Sequence, residues 1–353
     1  MKKIIAFILA SILGMTLIAC SAKEAPVADE EVRFKYSRND DGTWTVTGAV
    51  NVGEEIVIPE EHEGAKVTVI GDYAFWKYSR LTSVIIPDSV TTIEAGAFNA
   101  CSSLTNITIP DSVTSIGKSA FSGCDSLAFT EYNNAKYLGA NGNPYFALLS
   151  STESGIVTCE IHENTRIIAD NAFAYGRQLT NITIPDSVIS IGKEAFLECS
   201  SLTSVTIGKS VVSIGYSAFG NCKGLNKITI PNSVTHIGDH AFSSCGLTEI
   251  TIPDSVTYIG DYAFGSSELT SVTIGNGVKS IGESTFWECN LTDVIIPSSV
   301  VSICEDAFAY CDKLTNIRFL GTMAQWRVVS KDENWDRDTG NYTIYCTDGE
   351  IKK

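Results

Sequence analysis

Cysteine is the residue type in this sequence whose number and spacing most readily suggest chemistry. Seven of the eleven cysteines recur at one position of an internal repeat, namely Cys101, Cys124, Cys199, Cys222, Cys245, Cys289 and Cys311. A metal site favours close pairs such as C-x-x-C, and the sequence contains none. Equivalent side chains of stacked repeats lie about 4.8 Å apart with parallel Cβ directions, beyond the Cβ separation of about 3.5–4.5 Å in a disulfide. We therefore expect a ladder of buried free thiols, although an exported protein could also form disulfides.

The other groups that could do chemistry do not form a catalytic set. His236 and His240 flank Asp239, but the repeat position of His236 is serine or tyrosine in several other repeats, which favours a variable surface position. No G-x-S-x-G motif is present, and Gly-Lys-Ser at 117–119 lacks the earlier glycine of a P-loop. The acidic run at 332–338 lacks the spacing and the glycine of an EF-hand. We expect no enzyme activity, no cofactor and no metal site.

The charge of the chain excludes one class of partner. Lysine and arginine number 25 against 41 aspartates and glutamates, a net charge of -16. Such a charge repels phosphate, and no basic stripe compensates for it locally. We therefore expect no nucleic-acid partner.

The first residues are typical of an export signal. Two lysines precede an apolar run over residues 4–18, which is shorter than the roughly 20 residues of a membrane span. The run ends Leu-Ile-Ala-Cys at Cys20, which resembles the lipobox of bacterial lipoproteins, in which the cysteine is acylated; the alternative is an ordinary signal peptide with a chance cysteine. We expect a lipoprotein signal peptide over 1–19, lipidation of Cys20, a tether over 20–31, and contact with the membrane through the lipid anchor only.

An alanine–phenylalanine dipeptide, once replaced by threonine–phenylalanine, recurs along most of the chain. The phenylalanines are 22 or 23 residues apart except for one interval of 52. They are Phe75, Phe98, Phe121, Phe173, Phe196, Phe219, Phe242, Phe264, Phe286 and Phe308. A fixed period of this length is typical of a solenoid, in which each unit buries its apolar edges only by stacking on its neighbours.

One unit, residues 104–124, shows how the repeat should fold. Its leucine and two isoleucines stand at offsets 0, 3 and 5, the L-x-x-L-x-L pattern of a leucine-rich-repeat strand. Pro110 ends the strand because it lacks an N–H group. A second short extended segment follows and ends at Gly117. The last seven residues are long enough only for a turn or two of helix, which we expect to place Phe121 in the core.

The repeat unit Ile-Pro-x-Ser-Val-Thr-x-Ile-Gly-x-x-Ala-Phe-x-x-Cys-x-x-Leu-Thr resembles the BspA-like, treponemal-type leucine-rich repeat over about residues 56–320. We predict an α+β solenoid: a right-handed leucine-rich-repeat-type superhelix of about ten coils of 22–23 residues, with a parallel β-sheet on one face and short helical turns. The solenoid should cover 56–318, between an N-terminal β-hairpin cap over 32–55 and a C-terminal cap over 319–353 that resembles the terminal cap common in that family. Both caps are needed to cover exposed sheet edges.

The interval between Phe121 and Phe173 breaks the period: its 52 residues correspond to two repeats plus six additional residues. Strand-like stretches surround a turn-rich stretch at 133–144. We expect a degenerate coil with a hairpin-like excursion over 127–155, and such insertions often carry individual function.

The outward strand positions are mostly threonine, serine and asparagine, which are good strand formers but lack the Trp, Tyr and Arg anchors of tight interfaces. Bulky aromatic residues instead occur near the expected helical turns and in the excursion. We predict a binding surface among Tyr73, Trp76, Tyr78, Tyr216, Tyr258, Tyr262, Trp287 and Tyr310, and among Tyr132, Tyr137 and Tyr145.

The family resemblance implies attachment to host matrix proteins, other bacteria or glycans. We therefore predict a monomeric, non-catalytic, bacterial binding or adhesion protein that is exported, lipid-anchored and exposed at the cell surface. The alternative is a structural or partner-binding lipoprotein of the cell envelope that has no host ligand. An enzyme is the least favoured hypothesis.

Overall fold

The computed structural model describes residues 31–140 and 142–353. The predicted signal peptide over 1–19, the predicted lipidation site Cys20 and nearly all of the predicted tether over 20–31 lie outside the described residues. In the described part, the chain forms a β-solenoid of about 13 turns with a leucine-rich-repeat fold.

The coils are built from short strands because apolar residues alternate over only two to six positions before proline or glycine interrupts them. Up to the excursion, the strands are β1 (Arg33–Arg38), β2 (Trp44–Val50), β3 (Glu55–Val57), β4 (Glu61–His62), β5 (Ala65–Ile70), β6 (Ser83–Ile85), β7 (Thr92–Ile93), β8 (Asn106–Thr108) and β9 (Ser115–Ile116). The excursion contains β10 (Thr130–Tyr132), β11 (Ala135–Ala140) and β12 (Asn143–Ser151).

Beyond the excursion the regular coils resume. Their strands are β13 (Thr158–Glu160), β14 (Ile167–Ile168), β15 (Asn181–Thr183), β16 (Ser190–Ile191), β17 (Ser204–Thr206), β18 (Ser213–Ile214), β19 (His236–Ile237), β20 (Glu249–Thr251), β21 (Tyr258–Ile259), β22 (Ser271–Thr273), β23 (Ser280–Ile281), β24 (Asp293–Ile296), β25 (Ser302–Ile303) and β26 (Asn316–Phe319). The C-terminal region adds helix α1 (Met323–Val328), then β27 (Ser330–Lys331), β28 (Thr343–Cys346) and β29 (Gly349–Lys352).

Two faces of the solenoid carry parallel ladders, where the sequence predicted one. The first strands of successive coils pair in the orders β3-β6-β8, β13-β15-β17 and β20-β22-β24-β26-β28. The second extended segments pair as β5-β7-β9, β12-β14-β16-β18-β19-β21 and β23-β25-β27. Register is regular: Ile182 lies opposite Val205 in the first ladder, and Ile191 lies opposite Ile214 in the second. Antiparallel hairpins occur at β1–β2, at β10–β11–β12 and at β28–β29.

The third wall of each coil is its phenylalanine segment, defined as the five residues from two before to two after a repeat phenylalanine. In residues 73–77, the N–H groups of Tyr73, Phe75 and Lys77 donate to the next coil at 2.9, 2.8 and 2.9 Å. Tyr73 and Lys77 have φ of 52° and 63°, and the equivalent positions of the other coils also have positive φ. Because every second N–H bonds to the neighbouring coil, the segment does not close into a helix.

The predicted helical turns and the α+β class are therefore not confirmed. Helix α1 is the one α-helix among residues 31–140 and 142–353. It begins with a capping box formed by Thr322 and Gln325 and buries Trp326.

The coil count also differs from the predicted ten or so, because coils at the two ends and in the excursion lack the alanine–phenylalanine dipeptide. The C-terminal region provides an example: the Phe308 N–H donates to the Trp335 carbonyl at 2.8 Å, and the two rings pack at 6.0 Å. This region continues the stacking of the coils as well as covering their end.

The core contains two columns of stacked phenylalanine rings. Neighbouring rings lie 5.1–5.6 Å apart and nearly parallel from Phe75 to Phe121 and from Phe173 to Phe308; such pairs contribute about 0.5–1.5 kcal/mol each beyond their burial. The excursion separates the columns. Leu138 packs with the N-terminal core, whereas Leu148 packs with the C-terminal core.

Candidate functional site

A diagonal row of aromatic rings crosses five successive coils, within or directly beside their phenylalanine segments. We name it the aromatic stripe and define it as Tyr216, His240, Tyr262, Trp287 and Tyr310. Successive ring centroids lie 5.6, 5.1, 5.9 and 5.7 Å apart. The row is diagonal because its members shift from three residues before the repeat phenylalanine to two residues after it. Stacking of the coils therefore joins residues that are 22 to 25 positions apart in sequence into one surface.

The backbone of the phenylalanine segments presents these rings at the surface. His240, Tyr262 and Tyr310 have φ of 56°, 55° and 59°. Gly265 leaves room for the Tyr262 ring, since a Cβ there would lie 3.0 Å from it. Tyr216 and Tyr310 are 43% and 41% exposed, and the other three residues are half-buried. Partly buried aromatic rings offer large contact area at low cost in conformational entropy, which is why such residues are enriched at binding hot spots.

An acidic row lies beside the stripe, three residues before each repeat phenylalanine: Asp239, Asp261, Glu283 and Glu305. The aspartates are partly engaged in stacking the coils. Asp239 accepts a hydrogen bond from the Asp261 N–H at 3.1 Å, and Asp261 accepts one from the Glu283 N–H at 2.9 Å. Each of these bonds uses one carboxylate oxygen, and the two glutamates are exposed. The flank of the stripe is therefore negatively charged.

Two further residues bound the stripe. Arg337 lies with its guanidinium 5.3 Å from the Tyr310 ring centroid and 2.7 Å from the Asp306 carboxylate. Tyr258 is 49% exposed, and its hydroxyl donates to Asp239 at 3.3 Å. Partial burial and the nearby Asp239 carboxylate raise the pKa of Tyr258.

The N-terminal aromatic residues form a separate and smaller cluster. Tyr73 and Trp76 are 56% and 47% exposed, and their rings meet edge to face at 6.1 Å. The Lys77 ammonium lies 4.1 Å from the Trp76 ring centroid. Tyr78 is half-buried, and its hydroxyl donates to the Ala49 carbonyl. Tyr78 therefore ties β2 to the first coils and contributes little open surface.

The excursion tyrosines pack around His162. The Tyr145 ring stacks on the His162 ring at 3.5 Å, and the Tyr132 ring meets it edge-on at 5.0 Å. Tyr137 is fully buried and its hydroxyl accepts a hydrogen bond from the His162 N–H; burial raises the pKa of Tyr137 to about 12. Tyr137 belongs to the core of the excursion because it faces inward in β11, so its ring cannot contact a ligand.

The repeated cysteines are free thiols with a defined partner. The Cys101 thiol donates to the Phe75 carbonyl of the preceding coil at 3.0 Å, and the same contact recurs at the other repeat cysteines. Ser267 stands in this position in one coil and donates to the Phe242 carbonyl at 2.9 Å. Burial raises the pKa of the Cys101 thiol to about 12, so the reactive thiolate is scarce. These thiols are structural donors.

The described residues contain no group of three histidine, cysteine, aspartate or glutamate side chains that could hold a metal ion. None of the helices in this part of the chain is long and apolar enough to cross a membrane. His236 and His240, which lie four residues apart, face different neighbours: His236 packs near Tyr258, and His240 lies in the stripe.

Sequence reasoning found four members of the stripe and missed His240. A signal was present, because His240 and Tyr262 both stand two residues before a repeat phenylalanine. The contact between Arg337 and the Tyr310 ring could not be predicted from the sequence, because the two residues lie 27 positions apart in different coils.

The stacked coils, parallel ladders and buried leucine positions define the class of this protein as a leucine-rich-repeat solenoid. The BspA-type leucine-rich-repeat region matches over residues 54–147, 148–268 and 235–327, in six copies. The chain therefore belongs to the BspA-type leucine-rich-repeat family, and the resemblance seen in the sequence is confirmed.

Solved structures with similar repeats come from bacteria. A leucine-rich cell surface protein of Faecalibacterium prausnitzii A2-165 is 27% identical, over 88% of this chain and 99% of that one, with a TM-score of 0.31. A leucine-rich-repeat protein of Bacteroides ovatus ATCC 8483 is 24% identical over 91% and 100%, with a TM-score of 0.39. One from T. pallidum is 25% identical over 63% and 89%, with a TM-score of 0.31. No curated protein matches the chain.

Proposed function

We propose that this chain is a non-catalytic binding protein of the bacterial cell surface and that the aromatic stripe is its contact surface. The observation that carries the proposal is the continuity of five aromatic rings over five coils, with Tyr216 and Tyr310 more than 40% exposed. Family membership and the description of the Faecalibacterium relative as a cell surface protein support the location. The outward strand faces lack comparable anchors.

The partner that best fits this surface is a protein segment of a host or bacterial surface protein that carries lysine or arginine side chains. Cations bind favourably over Tyr and Trp faces, and the acidic row beside the stripe supplies opposite charge. Arg337 over Tyr310 provides an example of this contact within the chain. Because most of these charges are exposed, the affinity should fall as ionic strength rises. Binding of an uncharged glycan would leave the acidic row without a role.

The test compares two matched aromatic pairs in the full-length chain, purified in detergent. Trp287 and Trp76 both follow a repeat phenylalanine, and Tyr262 and Tyr73 both stand two residues before one. The double variant Trp287→Ala with Tyr262→Ala should weaken binding to matrix proteins or bacterial surface proteins by about 30-fold or more, the effect of a hot spot. The variant Trp76→Ala with Tyr73→Ala serves as the control and should change affinity far less.

The proposal fails if no protein or glycan of a broad array binds the wild type, or if the two double variants bind equally well. Binding to glycans alone, insensitive to salt, would overturn the basic-segment partner. Unfolding curves of both variants separate loss of the surface from loss of the fold.

Lipid anchoring at Cys20 is the second part of the proposal, and it rests on the lipobox-like end of the apolar run. In Cys20→Ser, the chain should appear in the soluble fraction of cells that otherwise hold it in the membrane fraction, and the intact mass should lack acyl chains. Protease treatment of intact cells then distinguishes a surface-exposed protein, which is digested, from one that faces the inside of the envelope.

A further inference from the structure

A cavity of about 280 Å³ lies where the excursion joins the regular coils. One wall is the phenylalanine segment of Phe121, and the opposite wall is residues 169–171 of the coil of Phe173. Phe129, Lys136, Leu149 and Ser150 of the excursion complete the lining. The cavity is unrelated to the aromatic stripe, which begins two coils further on.

The cavity exists because two coils that touch at one point are held apart at the next. The Asp170 N–H donates to the Ile116 carbonyl at 2.9 Å, whereas in a regular pair the donor stands one residue earlier in the coil, as Gly117 donates to Ile93. Beyond that point the end of β12 enters between the coils, and the Ser151 N–H donates a hydrogen bond to the Ala172 carbonyl at 2.8 Å. In a regular coil pair, this carbonyl would accept from the phenylalanine of the preceding coil, as Ala120 accepts from Phe98.

The displacement leaves a row of donors without acceptors. The N–H groups of Ser119, Phe121 and Gly123 occupy the positions that donate to the next coil elsewhere, yet no described residue accepts a hydrogen bond from them. Ser119 and Gly123 have φ of 56° and 72°, so the segment keeps the conformation that directs alternate N–H groups along the solenoid axis, and Ser119 and Phe121 line the cavity. Rows of backbone N–H groups in such alternating conformations form anion-binding concavities.

Positive side chains reinforce this wall. Lys118 is exposed at the rim, and Lys136 is half-buried with its ammonium 3.8 Å from the Phe129 ring centroid. The opposing charge in the lining is Asp170, whose carboxylate already accepts a hydrogen bond from the Lys193 N–H at 2.7 Å. The lining therefore combines two lysines and the unpaired N–H groups of Ser119 and Phe121 with one carboxylate.

We propose that this cavity is a binding site for a small organic carboxylate, held by the N–H groups of Ser119 and Phe121 and by the ammonium groups of Lys118 and Lys136. The volume admits a molecule of the size of a dicarboxylate or an amino acid. The carboxylate oxygens take the place of the carbonyls that a regular coil would supply. Binding would close the gap in the hydrogen-bond ladder between the two columns of coils.

The test is calorimetric titration of the full-length chain with succinate, L-glutamate and succinamide, the last as an uncharged match. Succinate and glutamate should bind saturably and succinamide should not. Lys136→Met, which keeps an apolar stem over Phe129, should weaken succinate binding about tenfold, the effect of losing one charged hydrogen bond. Lys279→Met is the control, because Lys279 is an exposed lysine that does not line the cavity, and it should leave the affinity unchanged.

A second variant acts in the opposite direction. Asp170→Asn removes the negative charge from the far wall and should strengthen succinate binding several-fold at neutral pH. The proposal is overturned if neither carboxylate binds, if succinamide binds as well as succinate, or if Lys136→Met and Lys279→Met give the same affinity. Weaker binding in Asp170→Asn would also overturn it.

Discussion

The Asp170 carboxyl provides a sharp test of how the coils pack. Burial between the Phe121 coil and its neighbour raises the pKa of Asp170 from its usual 3.8 to about 6, although the Lys193 N–H and the Lys193 ammonium act in the opposite direction. The folded protein therefore binds a proton on this group more readily than the unfolded chain does. Stability from this group is fully present below pH 3.8 and is lost as the pH rises through 6.

The magnitude follows from the same shift. A rise of about two pKa units corresponds to a free energy of unfolding lower by about 3 kcal/mol at pH 7.5 than if the group were neutral. Asparagine is neutral at every pH, and its amide oxygen can still accept from the Lys193 N–H. Asp170→Asn should therefore stabilise the chain by up to about 3 kcal/mol above pH 7 and change little near pH 4.

The assay is urea unfolding of both proteins, followed by circular dichroism at pH 4, 5, 6, 7 and 8. Asp72 is the matched control, because it stands at the same coil position and accepts the Ala95 N–H at 2.9 Å but is exposed. Asp72→Asn should change the free energy of unfolding at pH 7 far less than Asp170→Asn does, because the Asp72 side chain is exposed. A gain that is constant across the pH range, or a loss of stability in Asp170→Asn at pH 7, would refute burial as the cause.

Three further outcomes follow from the packing of the coils. In the native protein, a thiol reagent should label Cys304 and Cys346, which are half-buried, and should reach the eight buried thiols only on unfolding; rapid labelling of all ten described thiols would contradict this. Cys222→Ser should be more stable than Cys222→Ala by about 1 kcal/mol in urea unfolding, because it retains a donor to the preceding coil, and equal stabilities would argue against the donor role. Gly117→Ala should lower stability by about 2 kcal/mol, since its Cβ would lie 2.4 Å from a backbone nitrogen of the preceding coil, whereas Gly53→Ala, with nothing within 4 Å, should be neutral.

The solenoid was predictable from sequence because its signals are local. The phenylalanine period fixes the length of a coil, and offsets such as those of Ile107 and Ile109 show which strand positions face inward. Family membership followed from the same repeat unit. The coils without an alanine–phenylalanine dipeptide, such as the one that contains Trp335, lack this periodic signal, so the predicted number of coils was too low.

The phenylalanine segments were predicted wrongly because their conformation depends on neighbours. Tyr73, Glu194 and His240 all adopt positive φ, although none of these residue types signals that conformation as glycine does. The carbonyls of the next coil stabilise it, and those lie more than 20 residues away in sequence. The sequence of a single phenylalanine segment therefore indicates a helical turn, whereas in the stacked coils the same residues form a ladder of hydrogen bonds with the next coil.

The candidate sites were predictable only in part, for a related reason. Tyr216, Tyr262, Trp287 and Tyr310 are recognisable as exposed aromatic residues, but their union with His240 depends on how far each coil is shifted against the next. The carboxylate cavity depends on where β12 enters the stack. No residue type marks that position in the sequence.

The direction of the ladder bonds has a mechanical consequence. Hydrogen bonds between coils run along the solenoid axis. A pull on the two ends would therefore stretch the bonds of one pair of coils at a time and would not load all pairs together in shear. Each coil that peels away would release 22 or 23 residues, or about 75 Å of extended chain, in place of about 4.8 Å of stacked height. Under tension, such a body would lengthen stepwise, coil by coil, and the first step would begin at the junction with the excursion, where the N–H groups of Ser119, Phe121 and Gly123 have no acceptor in the described part of the chain.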